Sequence, residues 1–435
     1  MQYKSLLKNR DYRLFWVSQS LSAAGSTLSS MGLLWYASVT LGSLTLAGLI
    51  GTVWGLPSIL GFLAGAVADR ADRRQLMLKI DGFSGALMLV LASIIFFKQT
   101  TPYLILFFVF GLSLLREFFE SASFAFLPSL VNKTEIASAN AFLNTSQQGT
   151  LALARAIGGG LLSSIGVVGL LVVDAISYLA SAFCLLAIRM PGPHKKLANI
   201  HARRSESQES ISTFNPKTDD ETKPAFASLH EILVDLKTGL FQMWSNPLIR
   251  KVVPWALPAN AAYGAVLVLL PGWVNQVLGK DASIYGLVIS SGTVGFILGS
   301  TLAPLLVRRY QANWIMGGFT LLEAVALLFF TLSTDPSLAI MWYTLVGFFD
   351  GMSSPVFFSL LQVKIPEEYL GRIFGGLMTL LAFGQPVGMF LGGLLAESNS
   401  LFFVFTASAI LIGLVGLYFI WAKPLRVRLP SEDYK

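Results

Sequence analysis

The sequence predicts an all-α membrane protein of twelve transmembrane helices, arranged as two six-helix bundles related by a pseudo-two-fold axis, with both termini cytoplasmic. Three observations carry this. Hydrophobic residues make up 54% of the 435-residue chain and charged residues 13%, roughly half the charged share of a soluble domain. Apolar runs of 18 or more residues, each long enough to cross a core of about 30 Å, recur twelve times. Features also repeat at a fixed offset. Glu117 and Asp350, each a carboxylate in the middle of an apolar run, are 350 − 117 = 233 residues apart. The same offset brings Gly159-Gly160-Leu161-Leu162 onto Gly392-Gly393-Leu394-Leu395, and Glu135 onto Glu368.

The first bundle, 1–190, holds runs at about 14–39, 46–68, 76–97, 102–126, 139–164 and 167–189. The first run is too long for a cleavable signal and lacks a small-residue cleavage site, so it is expected to be retained. The second bundle, 248–425, holds runs at about 248–277, 282–306, 314–333, 337–361, 372–396 and 400–422, followed by a tail at 426–435. A linker at 191–247 joins them. Its first part, to 225, is rich in Ser, Lys, Glu and Pro and reads as flexible. At about 226–246, Leu229, Ile232, Leu233, Leu236, Leu240 and Phe241 recur at helical spacing. This predicts an amphipathic helix lying on the inner membrane surface, with partner docking as the alternative.

The net charge of +7 follows topology. Lys4, Lys8, Arg10, Arg13, Arg70, Arg73, Arg74, Lys79, Lys133, Arg308, Arg309, Lys364 and Arg372 fall on inner segments, whereas the outer loops hold only Lys98 and Lys280. That bias sets both termini inside an inner (cell) membrane and accounts for the basicity without a nucleic-acid partner. The single cysteine, Cys184, excludes an internal disulfide and a Cys-based metal site, and the three histidines all lie in the linker. No Gly-rich phosphate loop and no hydrolytic triad can be assembled. The expectation is therefore a non-enzymatic monomer without cofactor or metal, whose partners are the bilayer, protons and a small molecule.

The turn after the second run, Gly65-Ala-Val-Ala-Asp69-Arg70-Ala-Asp72-Arg73-Arg74-Gln-Leu76, packs two acids and three arginines between two helices. From charge alone it is either a plain positive-inside loop or a polar cluster that binds helix ends, acids or lipid phosphates. The stretch resembles the signature Gly-x-Leu-Ala-Asp-Arg-x-Gly-Arg-Arg-x-Leu of major facilitator transporters, departing at Val67 and at Asp72, where glycine is usual. Further along, FLPSLVNKTEIASANAF, VVDAISYLASAF and IPEEYLGRIFGGLMT are similar to the drug-efflux branch that includes macrolide-efflux proteins and the enterobactin exporter. The resemblance implies a cytoplasmic latch built from Gly65, Asp69, Arg70, Arg73 and Arg74, with Asp69 meeting the start of helix 11 near Arg372. Ala303 stands where Asp69 would repeat, so one latch is implied and not two.

The resemblance also implies that helices 1, 4, 7 and 10 surround a central cavity, with Glu117 and Asp350 on opposite walls. A carboxyl group in such a low-dielectric site can load and release protons, which makes Glu117, Glu120 and Asp350 the proton-coupling candidates. The alternative is that Arg116 and Glu120, four residues apart, form a structural ion pair and that Asp350 caps a kink near Gly351 and Pro355. Asp174 is expected to satisfy backbone or hydroxyl groups, and Glu323 to lie on a peripheral helix. Relatives often carry Gly-Asp in helix 1, where this chain has Gly25-Ser26, and Gly-Pro-x-x-Gly-Gly in helix 5, where this chain has Ala154-Arg155-Ala156-Ile157-Gly158-Gly159. Gly158 and Gly159 retain a helix-packing role. Arg155, at the proline position, points to an anionic substrate group or to neutralisation of Glu117 or Glu120. Gln19, Ser26, Trp255, Asn260, Tyr263 and Gln385 complete the expected cavity lining for a bulky amphipathic ligand.

These features together predict a proton-coupled exporter of amphipathic small molecules, drug-like or siderophore, working by alternating access. A lipid flippase or proton-symport importer of the same fold, or a non-transporting scaffold or sensor, is the alternative.

Overall fold

The computed structural model describes residues 6–189, 247–364 and 367–428. The expected linker helix at about 226–246 lies outside them. Among the described residues all regular structure is helical. The helices are α1 (Arg10–Trp35, ending in a π-turn at Tyr36–Thr40), α2 (Leu44–Gly55 and Gly61–Arg70, joined by a 3-10 turn at Leu56–Leu60), α3 (Arg73–Phe96) and α4 (Pro102–Phe126). A continuous run, Ile136–Ala187, is broken only at Gly166, whose φ of 69° and ψ of −177° reverse the chain; its parts, 136–165 and 167–187, are α5 and α6. The second half holds α7 (Pro247–Gln276), α8 (Ala282–Val307), α9 (Ala312–Leu332), α10 (Pro336–Lys364), α11 (Glu367–Ser398) and α12 (Leu401–Trp421). Eight helical stretches, with 133–187 counted as one, are long and apolar enough to cross a membrane. α1 is not among them, because serines recur along its length.

Helix starts follow local chemistry. Asn9, Ser43, Asp72, Thr101, Asp281 and Ser400 each accept hydrogen bonds from first-turn N–H groups, which satisfies donors that would otherwise be orphaned. Asp72, standing where glycine is usual in the signature, thus caps α3 through the N–H groups of Arg74 and Gln75. Two of the three arginines of that turn bind helix ends. Arg73 donates to the Ala125 carbonyl at the end of α4, and Arg74 to the Leu185 and Leu186 carbonyls at the end of α6, where the helix dipole favours cations.

The halves meet away from the chain ends, at the far end where α2 and α8 begin and α5 and α11 finish. Two seams are related by the pseudo-symmetry. In one, Gly159 of α5 lies on Gly286 of α8; a Cβ on Gly159 would stand 2.7 Å from the Gly286 Cα. In the other, Gly48 of α2 lies on Gly393 of α11, with the corresponding distance 3.0 Å. Each seam carries a carboxylate on its rim. Glu397 accepts from the Thr45 backbone N–H at 2.8 Å, and Asp281 accepts from Ser163 at 3.2 Å. Backbone contact of this kind requires the absence of side chains.

A Gly159→Val substitution should therefore hold the far end apart. Overpacking costs about 1–3 kcal/mol, enough to move the population between closed and open by roughly fivefold to a hundredfold. With Cys184 replaced, spin labels at 41 and 399 read the separation. An unchanged distance distribution would show that the glycine contact does not control closure.

Candidate functional site

Backbone contact also organises the second half. A Cβ on Gly295 or Gly299 of α8 would overlap the Thr344 or Phe348 carbonyl of α10, and one on Gly347 or Gly351 of α10 would overlap the Gly292 or Phe296 carbonyl of α8. Gly264 and Gly388 bring α7 and α11 together in the same way. The space left between these two tight pairs is a cavity of about 450 Å³.

The cavity is lined by α7 to α12 of the second half and by Gln148 and Arg155 of α5. Phe296, Phe357, Tyr263 and Tyr343 supply aromatic walls, and Asn260, Gln385 and Thr320 supply neutral polar groups. Two carboxylic residues face it. Asp350 accepts a hydrogen bond from Ser354, one turn along α10. Glu323 is 7% exposed and makes no hydrogen bond among the described residues. Arg155 is the one cation among the lining residues described; its Nη1 donates to Thr293 Oγ1 of α8 at 2.7 Å, across the boundary between the halves. The site thus places two acids from one half and one base from the other around an amphipathic space.

Several expected positions change. Glu323 is not peripheral, because α9 packs on both α10 and α12 and turns this side chain inward. Glu117 is not on the opposite wall of the cavity that holds Asp350; its carboxylate approaches Gly61 of α2. Arg155 neutralises neither Glu117 nor Glu120, since α5 directs it to α8. Arg116 and Glu120 do pair, at 2.7 Å, with side chains 67% and 56% exposed and outside this cavity. Gln19 donates to Ser123 at 2.6 Å and ties α1 to α4. Ser26 bonds the Tyr178 hydroxyl at 3.2 Å. Trp255 stacks on Tyr418 with ring centroids 4.5 Å apart, on the α7–α12 face. None of these three lines the cavity, whereas Asn260, Tyr263 and Gln385 do.

Gly158 packs on Leu28 and Met31 and Gly159 on α8, so both serve helix packing. Asp174 is buried and accepts from Ser29 at 2.6 Å and from Ser177 at 3.2 Å, the hydroxyl satisfaction expected of it. Gly65 has open space around it. The side chains of Asp69, Arg70 and Arg372 lie outside the described residues, so the implied latch contact stays an expectation. Sequence reading missed Asp81 of α3, 1% exposed and bonded by Ser181 at 2.6 Å. A lone acid between Ile80 and Gly82 in an apolar run was the available signal.

Comparison with known proteins agrees with this architecture. The model of the Major Facilitator Superfamily matches residues 15–385 and 255–433. Macrolide efflux protein A of Streptococcus pyogenes is 21% identical over 390 residues, covering 88% of each chain. Multidrug efflux pump Tap of Mycolicibacterium fortuitum is 26% identical over 199 residues, covering 45% of this chain and 47% of its own length. The proton-coupled antiporter flippase LtaA of Staphylococcus saprophyticus is 23% identical over 178 residues, 38% of this chain and 44% of its own. Among solved structures, a bacterial homologue of the human lysosomal transporter Spinster superposes with a TM-score of 0.70 at 13% identity, covering 97% of this chain and 99% of its own. The nucleoside transporter NupG gives 0.69 at 14%, covering 94% and 98%. The chain belongs to the Major Facilitator Superfamily and is a multi-pass membrane transporter, not an enzyme.

Proposed function

We propose that the chain is a proton-coupled exporter of amphipathic small molecules, drug-like or siderophore, that works by alternating access in the inner membrane. One observation carries the reading: a cavity of about 450 Å³ with aromatic walls holds Asp350 and Glu323, and Arg155 reaches into it from the other half. Two ionised carboxylates closed into a low-dielectric space oppose closure, because an uncompensated charge away from water costs several kcal/mol. Protons or a ligand relieve that cost. An empty, deprotonated cavity therefore resists the swing, while a proton-loaded or ligand-loaded one permits it, which is the condition for exchange. Asp350 and Glu323 are the coupling pair in this reading, in place of Glu117 and Glu120.

Positive-inside charge puts the chain ends in the cytoplasm, so the closed glycine seams face outward and the cavity opens inward. The Arg116–Glu120 pair, more than half exposed at mid-helix, suits the wall of an aqueous cleft between the halves better than acyl chains. Arg155 bonds Thr293 across the shut α5–α8 seam. Outward opening frees its charge within the site and gives the cycle a step that senses ligand.

In proteoliposomes, Asp350→Asn and Glu323→Gln should each abolish ligand accumulation driven by a pH gradient, with accumulation in the direction opposite to proton flow in the parent protein. Glu117→Gln should keep coupled transport. The reverse pattern would assign coupling to the first half, and ligand moving with protons would favour an importer.

Arg155→Ala should weaken far-end closure and lower the affinity for ligand, whereas Arg155→Lys should keep the positive charge but lose the shaped contact to Thr293. Spin-label distances at 41 and 399, measured with and without ligand, check this; identical distances and affinities in all three proteins would remove Arg155 from the mechanism.

A further inference from the structure

The first half contains a buried acid that the cavity does not use. Asp81 of α3 is 1% exposed, and Ser181 of α6 donates to its Oδ2 at 2.6 Å. Ser181 lies 2.8 Å from Ser18 of α1. Because the single hydroxyl hydrogen of Ser181 is directed at Asp81, Ser18 must be the donor in that second bond. One chain, Ser18 to Ser181 to Asp81, therefore joins α1, α6 and α3 and ends on a carboxyl group. Both serines are fully buried. The other oxygen of the same acid, Asp81 Oδ1, is buried and has no hydrogen-bond partner.

The neighbouring acid shows the contrast. Asp174, seven residues before Ser181 on α6 and so about 10 Å away along the helix, accepts from Ser29 on one oxygen at 2.6 Å and on the other, at 3.2 Å, shares the hydrogen that Ser177 also directs at the Asp174 carbonyl at 2.8 Å. Asp81 has one donor for two oxygens. The charged groups on the surrounding helices bond or face elsewhere. On α4, Arg116 pairs with Glu120 and Glu117 approaches Gly61. On α6, Tyr178 bonds Ser26. On α1, Arg13 donates to the Leu7 carbonyl and Asp11 accepts from the Arg189 N–H. On α3 itself, Arg74 donates to the end of α6, Arg73 to the end of α4, and Lys79 is exposed. A buried carboxylate with one neutral donor and no cation is a costly species, and a neutral carboxyl group is not.

We propose that Asp81 is a second proton-binding site, in the first half and separate from the cavity, occupied in the conformation described here. The proton removes the charge from a carboxyl group that has a partner on Oδ2 alone. Its loss leaves a charge that only water can serve, and water reaches Asp81 only if the α1–α3–α6 packing loosens. The site therefore couples one proton to the packing of the first bundle. It stands whether or not Asp350 and Glu323 carry protons.

Infrared difference spectra of the full-length protein in lipid nanodiscs, recorded as pH is raised, test this through the carbonyl stretch of protonated carboxyl groups. A component should persist in the Asp350→Asn, Glu323→Gln double variant and vanish in Asp81→Asn. In Ser181→Ala, which keeps the acid and removes its donor, the same component should remain but move in frequency. Superimposable spectra for the parent and Asp81→Asn would overturn the proposal. So would a component that is removed by sodium at constant pH, which would make the ligand a metal cation, and so would a component unmoved by Ser181→Ala. If Asp81→Asn fails to fold, the Ser181→Ala shift alone decides between presence and absence.

Discussion

Direct contact between backbones is the interaction on which the rest of the molecule depends. At the far end, Gly159 against Gly286 and Gly48 against Gly393 let helices of opposite halves touch without side chains between them. Within the second half, the glycine faces of α8 and α10 and of α7 and α11 do the same. Removing side chains from some faces forces volume to collect elsewhere, and the cavity beside Asp350 is the result. In a membrane the driving force for helix association is packing itself, so a row of missing methyl groups acts as an attractive element. Closure and cavity are two outcomes of one glycine pattern.

The duplicated acids diverged within this frame. Asp350 follows Gly347 and precedes Gly351, so the close α8 crossing holds it at the cavity wall beside Glu323. Glu117 has no glycines flanking it at that spacing on its own helix and sits next to a charged pair, partly buried and facing Gly61 of α2. Equal positions in the repeat thus led to unequal surroundings, and the second half holds the amphipathic space. The base that complements it, Arg155, comes from the first half, so the site is complete only when the halves are together.

Much of the fold is legible in the sequence, because length and polarity suffice for it. Apolar runs of 18 or more residues locate the helices, and even the abrupt reversal between α5 and α6 falls between two such runs. The seam glycines of α5 and α11 are 393 − 159 = 234 apart and those of α2 and α8 are 286 − 48 = 238 apart, so the offset of 233 drifts along the repeat. Which face a side chain occupies is far less legible. A helix surrounded by lipid on one side and protein on the other is apolar all round, so the amphipathic signal that fixes faces in soluble proteins is weak. Hence Glu323 reads as peripheral and is buried, Gln19 and Ser26 read as cavity lining and instead tie helices together, and Trp255 stacks on a neighbouring helix. Asn260, Tyr263 and Gln385 do line the cavity, and what they do there belongs to the proposed function.

The junction at Gly166 has a mechanical meaning. A left-handed glycine is the whole connection between α5 and α6. Elsewhere a loop of several residues would let one helix end move away from the next, but one residue spans too little to do so. α5 carries the seam to α8 and reaches into the cavity with Arg155, while α6 carries Asp174 and Ser181 in the heart of the first bundle. Any displacement of α5 near the seam therefore carries the start of α6 with it, and the packing of Gly158 on Leu28 and Met31 ties both to α1.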